Sequence, residues 1–189
     1  MTDLLPLCQR CAFNTERLLI NCVKPQILDD DSKRLYTLKV LELLTPAVTS
    51  SLPSEWQNLT SYEDASKWWQ QRIEESSFLS IQLKSNNEII GFVFLYDDET
   101  QKTPLDLHIG YLLGASYWAK GYGSELIKGL VNWAYLDKHI HSLIGGVAIN
   151  NIGSIKVMEK NGFSRSKLDS PDKNVIFLEY VINKSDVKK

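Results

Sequence analysis

No run of apolar residues in this sequence approaches the roughly 18 needed to cross a bilayer, so no membrane-spanning helix is expected. The N-terminus, "MTDLLPLCQRC", has no basic leader ahead of a long apolar stretch and does not read as a signal peptide. An excess of positive charge is lacking too. Lysine and arginine number 21 against 23 aspartates and glutamates, a net charge of −2, which gives no electrostatic case for nucleic acid or an anionic membrane as partner. Cysteine is scarce, with three residues in all, Cys8, Cys11 and Cys22. Cys8 and Cys11 form a CxxC, but no second Cys/His pair stands at zinc spacing and no thioredoxin-like strand–helix pattern follows. They read as incidental reduced thiols, with no metal, in a cytoplasmic chain. Repeats, low-complexity segments and linkers are absent.

What remains is ordinary globular material. The chain has 189 residues, 43% of them hydrophobic and 23% charged, enough for one domain with a sizeable core. The aromatic supply is generous, with five tryptophans and eight tyrosines. "TERLLINCV" (15–23) reads as a first strand. Residues 29–45 read as a helix that opens on acidic and capping residues, carries a stripe of Leu35, Leu38, Leu41 and Leu43, and stops at Pro46. An irregular connection follows, and then a second helix in "SYEDASKWWQQRIEES" with Ser61 as N-cap.

Thereafter the period changes. "SFLSIQLKS" and "IIGFVFLYDD" around the turn "NNE" read as a hairpin. "PLDLHIGYLL" is a strand with Leu105, Leu107 and Ile109 on one face and Asp106, His108 and Gly110 on the other. A helix in "GYGSELIKGLVNWAYLDK", a strand in "HSLIGGVAI", a helix in "NIGSIKVMEKNGF" ended by Asn161-Gly162, and a strand in "NVIFLEYVIN" complete the order. Two helices, a hairpin and then alternating strand and helix describe one α/β domain. Its expected span is residues 15–183, after an N-terminal extension (1–14) and before a solvated tail (184–189).

Gly121 and Gly123 stand one residue apart between a strand and a helix. Glycine at that place costs backbone entropy, so something requires the missing side chains. One reading is an anion against the first-turn N–H groups at the positive end of the helix dipole, with Ser124 adding a donor and Lys120 a charge. The other is a tight turn that needs glycine for packing alone. The pattern is neither a Walker loop nor a Rossmann fingerprint, and local spacing leaves the two readings level.

The wider pattern decides. Trp118-Ala119-Lys120-Gly121-Tyr122-Gly123 resembles the Gln/Arg-x-x-Gly-x-Gly/Ala loop of the Gcn5-related N-acetyltransferase superfamily. Trp118 in the leading place is similar to the branch that contains ribosomal-protein N-terminal acetyltransferases. "NIGSIKVMEKNGF" (151–163) resembles that family's Asn-x-x-Ser-x-x-Val-Leu-Glu-Lys-x-Gly-Phe, and "TERLLI" its opening strand. The resemblance runs from about Thr15 to Ile182. It implies an α/β fold with a mixed, largely antiparallel central sheet flanked by helices, and acetyl-CoA as co-substrate, with no metal.

By the same resemblance, backbone groups of Tyr111, Leu112 and Leu113 would hold the pantetheine arm and the acetyl oxygen. Those of Ala119, Lys120, Gly121, Tyr122, Gly123 and Ser124 would hold the pyrophosphate. Asn151 would bind the pantetheine arm, and Ser154 would bind near the sulfur and protonate the leaving thiolate; both residues also suit plain helix capping. Where many family members carry a tyrosine acid this chain has Met158, which suits core packing better. Candidates for the general base are His108, which titrates near neutrality when unperturbed, and Asp106 beside it, although a lone strand histidine is more often structural. His139 and His141 read as a solvated helix end. Glu55, Trp56, Trp68 and Trp69 fall in the early segments that wall the family's acceptor groove; on one helix, Trp68 and Trp69 face different ways and at least one belongs to the core.

Three readings therefore stand. The first is an N-acetyltransferase acting on a primary amine, with a peptide or ribosomal-protein N-terminus as first choice of acceptor. The second keeps the reaction but takes a small amine such as a polyamine or aminoglycoside. The third is an acetyl-CoA-binding module without turnover. A homodimer is an open alternative under all three.

Overall fold

In the computed structural model the described residues are 6–97, 104–168 and 170–183; the expected solvated tail, 184–189, lies outside them. The elements in chain order are α1 (Leu7–Arg10), β1 (Phe13–Asn14), β2 (Leu18–Cys22), α2 (Asp30–Leu43), α3 (Pro46–Thr49), α4 (Tyr62–Glu75), β3 (Ser77–Leu83), β4 (Ile89–Tyr96), β5 (Leu105–Leu113), α5 (Tyr122–Leu136), β6 (Ile140–Ala148), α6 (Ile152–Lys160), β7 (Ser164–Arg165) and β8 (Val175–Val181). The eight strands form a sheet in the order β1-β2-β3-β4-β5-β6-β8-β7. β1 with β2, β2 with β3, β6 with β8 and β7 with β8 are antiparallel, whereas β5 and β6 are parallel. This is the mixed, largely antiparallel α/β sheet expected from the sequence.

The chain forms two compact units. One comprises the described residues up to Phe94 with Tyr111–Lys120; the other comprises those of 95–110 and those from Gly121 onward. In the first unit, α2 and α4 bring Val40, Leu43, Trp68 and Trp69 against an apolar set from β2, β3 and β4 that includes Leu18, Ile20, Phe78, Ile81, Phe92 and Phe94. Each such side chain, fully buried, contributes on the order of 1.5–3 kcal/mol. α4 begins with a complete capping box: Ser61 Oγ accepts from Asp64 N at 3.1 Å, and Asp64 Oδ2 accepts from Ser61 N at 3.2 Å. Trp68 and Trp69 both belong to the core. Trp69 Nε1 donates to Thr37 Oγ1 at 2.8 Å, and Trp68 stacks edge-on to Phe94 and Phe78.

The inward face of α2 differs from the leucine stripe. Leu35 and Leu38 are 49% and 46% exposed, while Thr37, Val40, Leu43 and Leu44 are buried. Thr37 can stand in the core because its hydroxyl donates to the Lys33 carbonyl at 2.9 Å and accepts from Trp69. A buried polar group with both needs met costs little, so the helix turns its threonine inward and leaves two leucines out. The stretch after Pro46 is also more ordered than expected, holding α3 and a 3-10 turn at Ser54–Trp56.

The cysteines are corrected as well. Cys8 of α1 is bonded to Cys22 at the end of β2, with their Cα atoms 5.6 Å apart. The pair is not the CxxC, and Cys8 and Cys22 are not reduced thiols; Cys11 is buried outside the bridge. A sequence separation of 14 residues hid a pairing that folding creates. No metal-binding cluster occurs among the described residues, and none of their helices is long and apolar enough to cross a membrane.

In the second unit, α5 and α6 supply Leu126, Ile127, Leu130 and Met158 to a core shared with Leu107, Leu143 and Leu178. Met158 lies on Gly145, where an added Cβ would meet its Cε at 2.4 Å, in line with the packing role expected for it. The parallel ladder runs from Leu105↔Ile140 to Ile109↔Gly145, while β5 continues to Leu113 and β6 to Ala148.

Candidate active site

Of the two glycines between β5 and α5, Gly121 sits in backbone that side chains resist, whereas Gly123 lies in the first turn of α5 without positive φ. Gly121 has φ +83°, in the left-handed region, and is the N-cap of α5. Two residues earlier, Ala119 has φ +57°, a conformation that costs a non-glycine residue about 1–3 kcal/mol. Turns of this kind gather successive backbone N–H groups into anion-binding concavities. Helices α2, α4 and α6 each have a first-turn N–H taken by an N-cap side chain, from Asp29, Ser61 and Asn151. Gly121 has no side chain to offer, and no side chain caps α5.

The segment before Gly121 is fastened within its own unit. Tyr117 Oη donates to Glu88 Oε1 at 2.7 Å, Trp118 Nε1 donates to the Leu113 carbonyl at 2.8 Å, and Arg17 Nη1 donates to the Lys120 carbonyl at 3.1 Å. Partial burial first, and then the Glu88 carboxylate beside it, push the Tyr117 phenol up to about 12. The hydrogen bonds from Tyr117 and Asn86 hold Glu88 below the usual carboxylate range. Lys120 reaches back over the Tyr117 ring, its Nζ 5.7 Å from the centroid. Trp118 thus anchors the loop through its indole N–H.

Tyr111, Leu112 and Leu113 end β5, and Gly91 of β4 explains how closely their backbone is approached. A Cβ on Gly91 would lie 2.2 Å from the Leu112 carbonyl oxygen, and Gly114 N donates to the Ile90 carbonyl at 2.9 Å. Sequence reading missed Gly91; a glycine inside a continuous apolar strand was its one signal. Glu88 and Arg17 gave none.

Asn151 and Ser154 open α6 together. Asn151 Oδ1 accepts from Ser154 N at 3.1 Å, so the capping reading of Asn151 holds for its oxygen, and its amide nitrogen is a separate donor. Ser124 Oγ accepts from Asn161 Nδ2 at 3.1 Å, which ties the first turn of α5 to the end of α6 and leaves the hydroxyl proton to donate. Tyr122 and Gly123 make up the rest of that turn.

Asp106 and His108 share one face of β5. Asp106 Oδ1 accepts from Ser142 Oγ at 2.7 Å and lies 2.8 Å from His141 Nδ1. Burial pushes its carboxyl up, but the hydrogen bonds from His141 and Ser142 outweigh it and the net shift is downward. His141 is therefore a residue of strand β6 paired with Asp106, not part of a helix end. His108 meets the Phe177 ring edge-on, with centroids 6.0 Å apart.

The acetyltransferase (GNAT) domain matches residues 28–164. A probable N-acetyltransferase of Bacillus subtilis, YjcK, is 30% identical over 99 residues, 51% of this chain and 54% of its own length; the aligned stretch thus spans about half of that relative. Among solved structures, the ribosomal L7/L12 α-N-protein acetyltransferase RimL in complex with coenzyme A superimposes with a TM-score of 0.70 at 18% identity, covering 92% of this chain and 99% of its own. The aminoglycoside acetyltransferase AAC(6')-Ib, in complex with ribostamycin and coenzyme A, does so with a TM-score of 0.67 at 18% identity, covering 88% and 94%. At those identities the likeness is one of fold. The domain match, by contrast, covers most of the chain, which belongs to the acetyltransferase (GNAT) domain family.

Proposed function

We propose that this protein transfers the acetyl group of acetyl-CoA to a primary amine. The observation that carries the reading is the start of α5, a glycine in left-handed backbone with no capping side chain, in a chain whose other long helices are capped. Bound there, acetyl-CoA supplies the acetyl thioester. Backbone N–H groups of Ala119, Lys120, Gly121, Tyr122, Gly123 and Ser124 hold its pyrophosphate, with the helix dipole behind them. The backbone of Tyr111, Leu112 and Leu113 holds the pantetheine.

The reaction forms an amide C–N bond, breaks the C–S bond, and moves one proton from the amine to the departing sulfur. Ser154 gives its hydroxyl proton to the sulfur and regains one from solvent, to which His108 releases the proton it has taken. His108 takes the amine proton, because Asp106, held low by His141 and Ser142, is the weaker base at neutral pH. Asp106 acts by orienting that strand end.

A protein or peptide N-terminus is the first choice of acceptor; RimL is a ribosomal L7/L12 α-N-protein acetyltransferase. The aminoglycoside enzyme is nearly as similar in fold, so both acceptor classes belong in the test. Calorimetric titration with acetyl-CoA comes first, followed by thiol release across peptide and small-amine acceptors. Binding with acceptor-dependent thiol release is the expected result. No binding assigns the glycines to the turn alone, and binding without release from any acceptor favours a non-catalytic module.

A further inference from the structure

The most heavily buried charge among the described residues has unfilled donors beside it. Arg72 of α4 has a side chain only 6% exposed. Its guanidinium carbon lies 4.8 Å from the Trp56 ring and 5.9 Å from the Trp68 ring. Its ion-pair partner, Glu75, contacts Nη2 at 2.9 Å but is itself 53% exposed, so water screens that carboxylate. Arg72 Nε and Trp68 Nε1 are both buried and find no hydrogen-bond partner among the described residues. Buried polar groups are nearly always paired, and each exception calls for an explanation.

Trp56 covers this pair. It ends the 3-10 turn Ser54–Trp56, is half-buried, stands edge-on to Trp68 at 5.3 Å, and packs on Phe94 at 5.0 Å. Ring contacts hold it. The segment around it is closed by Gln57 Nε2 donating to the Leu52 carbonyl at 2.9 Å, a bond that does not involve the indole.

We propose that Trp68 Nε1–H and Arg72 Nε–H form an oxyanion subsite for a carboxylate-bearing ligand, and that Trp56 is its movable cover. A carboxylate matches the site in two respects. It accepts from more than one N–H donor, and its charge adds to that of Glu75, which meets the guanidinium at Nη2 alone and is half-exposed to screening water. A neutral carbonyl would meet the first need alone. The subsite lies wholly among residues 54–94 and requires nothing of the acetyl-transfer reading.

The test uses the full chain labelled with nitrogen-15, its indole N–H resonances assigned by single Trp→Phe changes. Acetate is the probe and acetamide the neutral control, at matched ionic strength. The Trp68 indole resonance should shift saturably with acetate and not with acetamide. Trp56→Ala should tighten acetate binding several-fold by removing the cover. Arg72→Lys, which keeps the charge and loses Nε–H, should weaken it by roughly tenfold or more. Trp68→Phe keeps an aromatic ring without the donor and should weaken it comparably, which guards against misreading a poorly folded Arg72 variant. A Trp68 resonance that ignores acetate, or follows acetamide equally, overturns the proposal and assigns the donors to a buried water. Unchanged acetate affinity in folded Arg72→Lys overturns it too.

Discussion

Helix α4 starts with Ser61, whose hydroxyl takes the Asp64 N–H while Asp64 takes the Ser61 N–H in return; helix α5 starts with Gly121, which has no side chain to give. Both helices are long and amphipathic, so their cores ask the same of them. The difference lies in their first turns. Orphan N–H groups at a helix start must find partners, and α4 finds one within its own sequence. α5 begins with left-handed backbone at Ala119 and Gly121, geometry that local stability alone does not favour. A closed start serves the fold; under the proposed function, the open one serves a ligand. Helix α6 stands between the two, capped by Asn151 yet carrying Ser154.

The largest expected effect sharpens that intermediate case. Ser154→Ala should lower kcat by about a hundredfold or more, with acetyl-CoA affinity unchanged, because it removes a proton donor and leaves the Asn151 cap on a backbone N–H. An unaltered kcat would put Ser154 in the same class as Ser61, a helix-start residue without chemistry. Next comes Gly121→Val. It should lower acetyl-CoA affinity by about tenfold or more and destabilise the fold by about 1–3 kcal/mol, the usual strain of side chains in left-handed backbone. Gly121→Asn separates the two losses, since asparagine tolerates that backbone. Asparagine should keep more of the stability and still lose affinity; if it keeps both, the open start of α5 is only a turn.

At the closed start the signs reverse. Ser61→Ala should cost about 1 kcal/mol in urea unfolding and leave acetyl-CoA affinity untouched. A fall in affinity there would break the contrast, because it would mean that α4 positions the cofactor after all.

Much of this was legible before the fold. Ser61 and its acidic first turn, the Gly121/Gly123 pair and the Asn161-Gly162 helix end are local signals, and local physics decides them. The turn at Gly121 and the helix that Asn151 caps could be read because both are carried by residues at fixed, short spacing; the binding role given to them is proposed. What escaped was set by tertiary partners. Thr37 faces inward because Trp69 arrives from another helix, and no period within residues 29–45 announces it. Cys8 pairs with Cys22 because α1 comes to the end of β2. His141 meets Asp106 across the parallel register of β5 and β6. Tyr117 and Glu88, 29 residues apart, were invisible for the same reason.

That last pair gives the smallest effect and tests whether the open start of α5 is held from behind. The neutral phenol donates to a carboxylate, so the bond needs Tyr117 protonated and Glu88 ionised. In the folded chain Tyr117 titrates at about 12 rather than 10.0. Its contribution is therefore full below pH 10.0 and lost as pH rises toward about 12. Glu88 is lowered from 4.5, so its contribution is full above that pH and lost as pH falls through the depressed folded value. Tyr117→Phe should accordingly cost no more than about 1 kcal/mol at neutral pH, as befits a hydrogen bond partly open to water. The gap between wild type and variant should close at both pH extremes. Because the same bond fastens the segment that leads into Ala119 and Gly121, acetyl-CoA affinity should fall slightly in step with it. A stability gap that ignores pH would assign the loss to packing of the ring, and an affinity that stays at the wild-type value would mean that the backbone at Ala119 and Gly121 keeps its own shape.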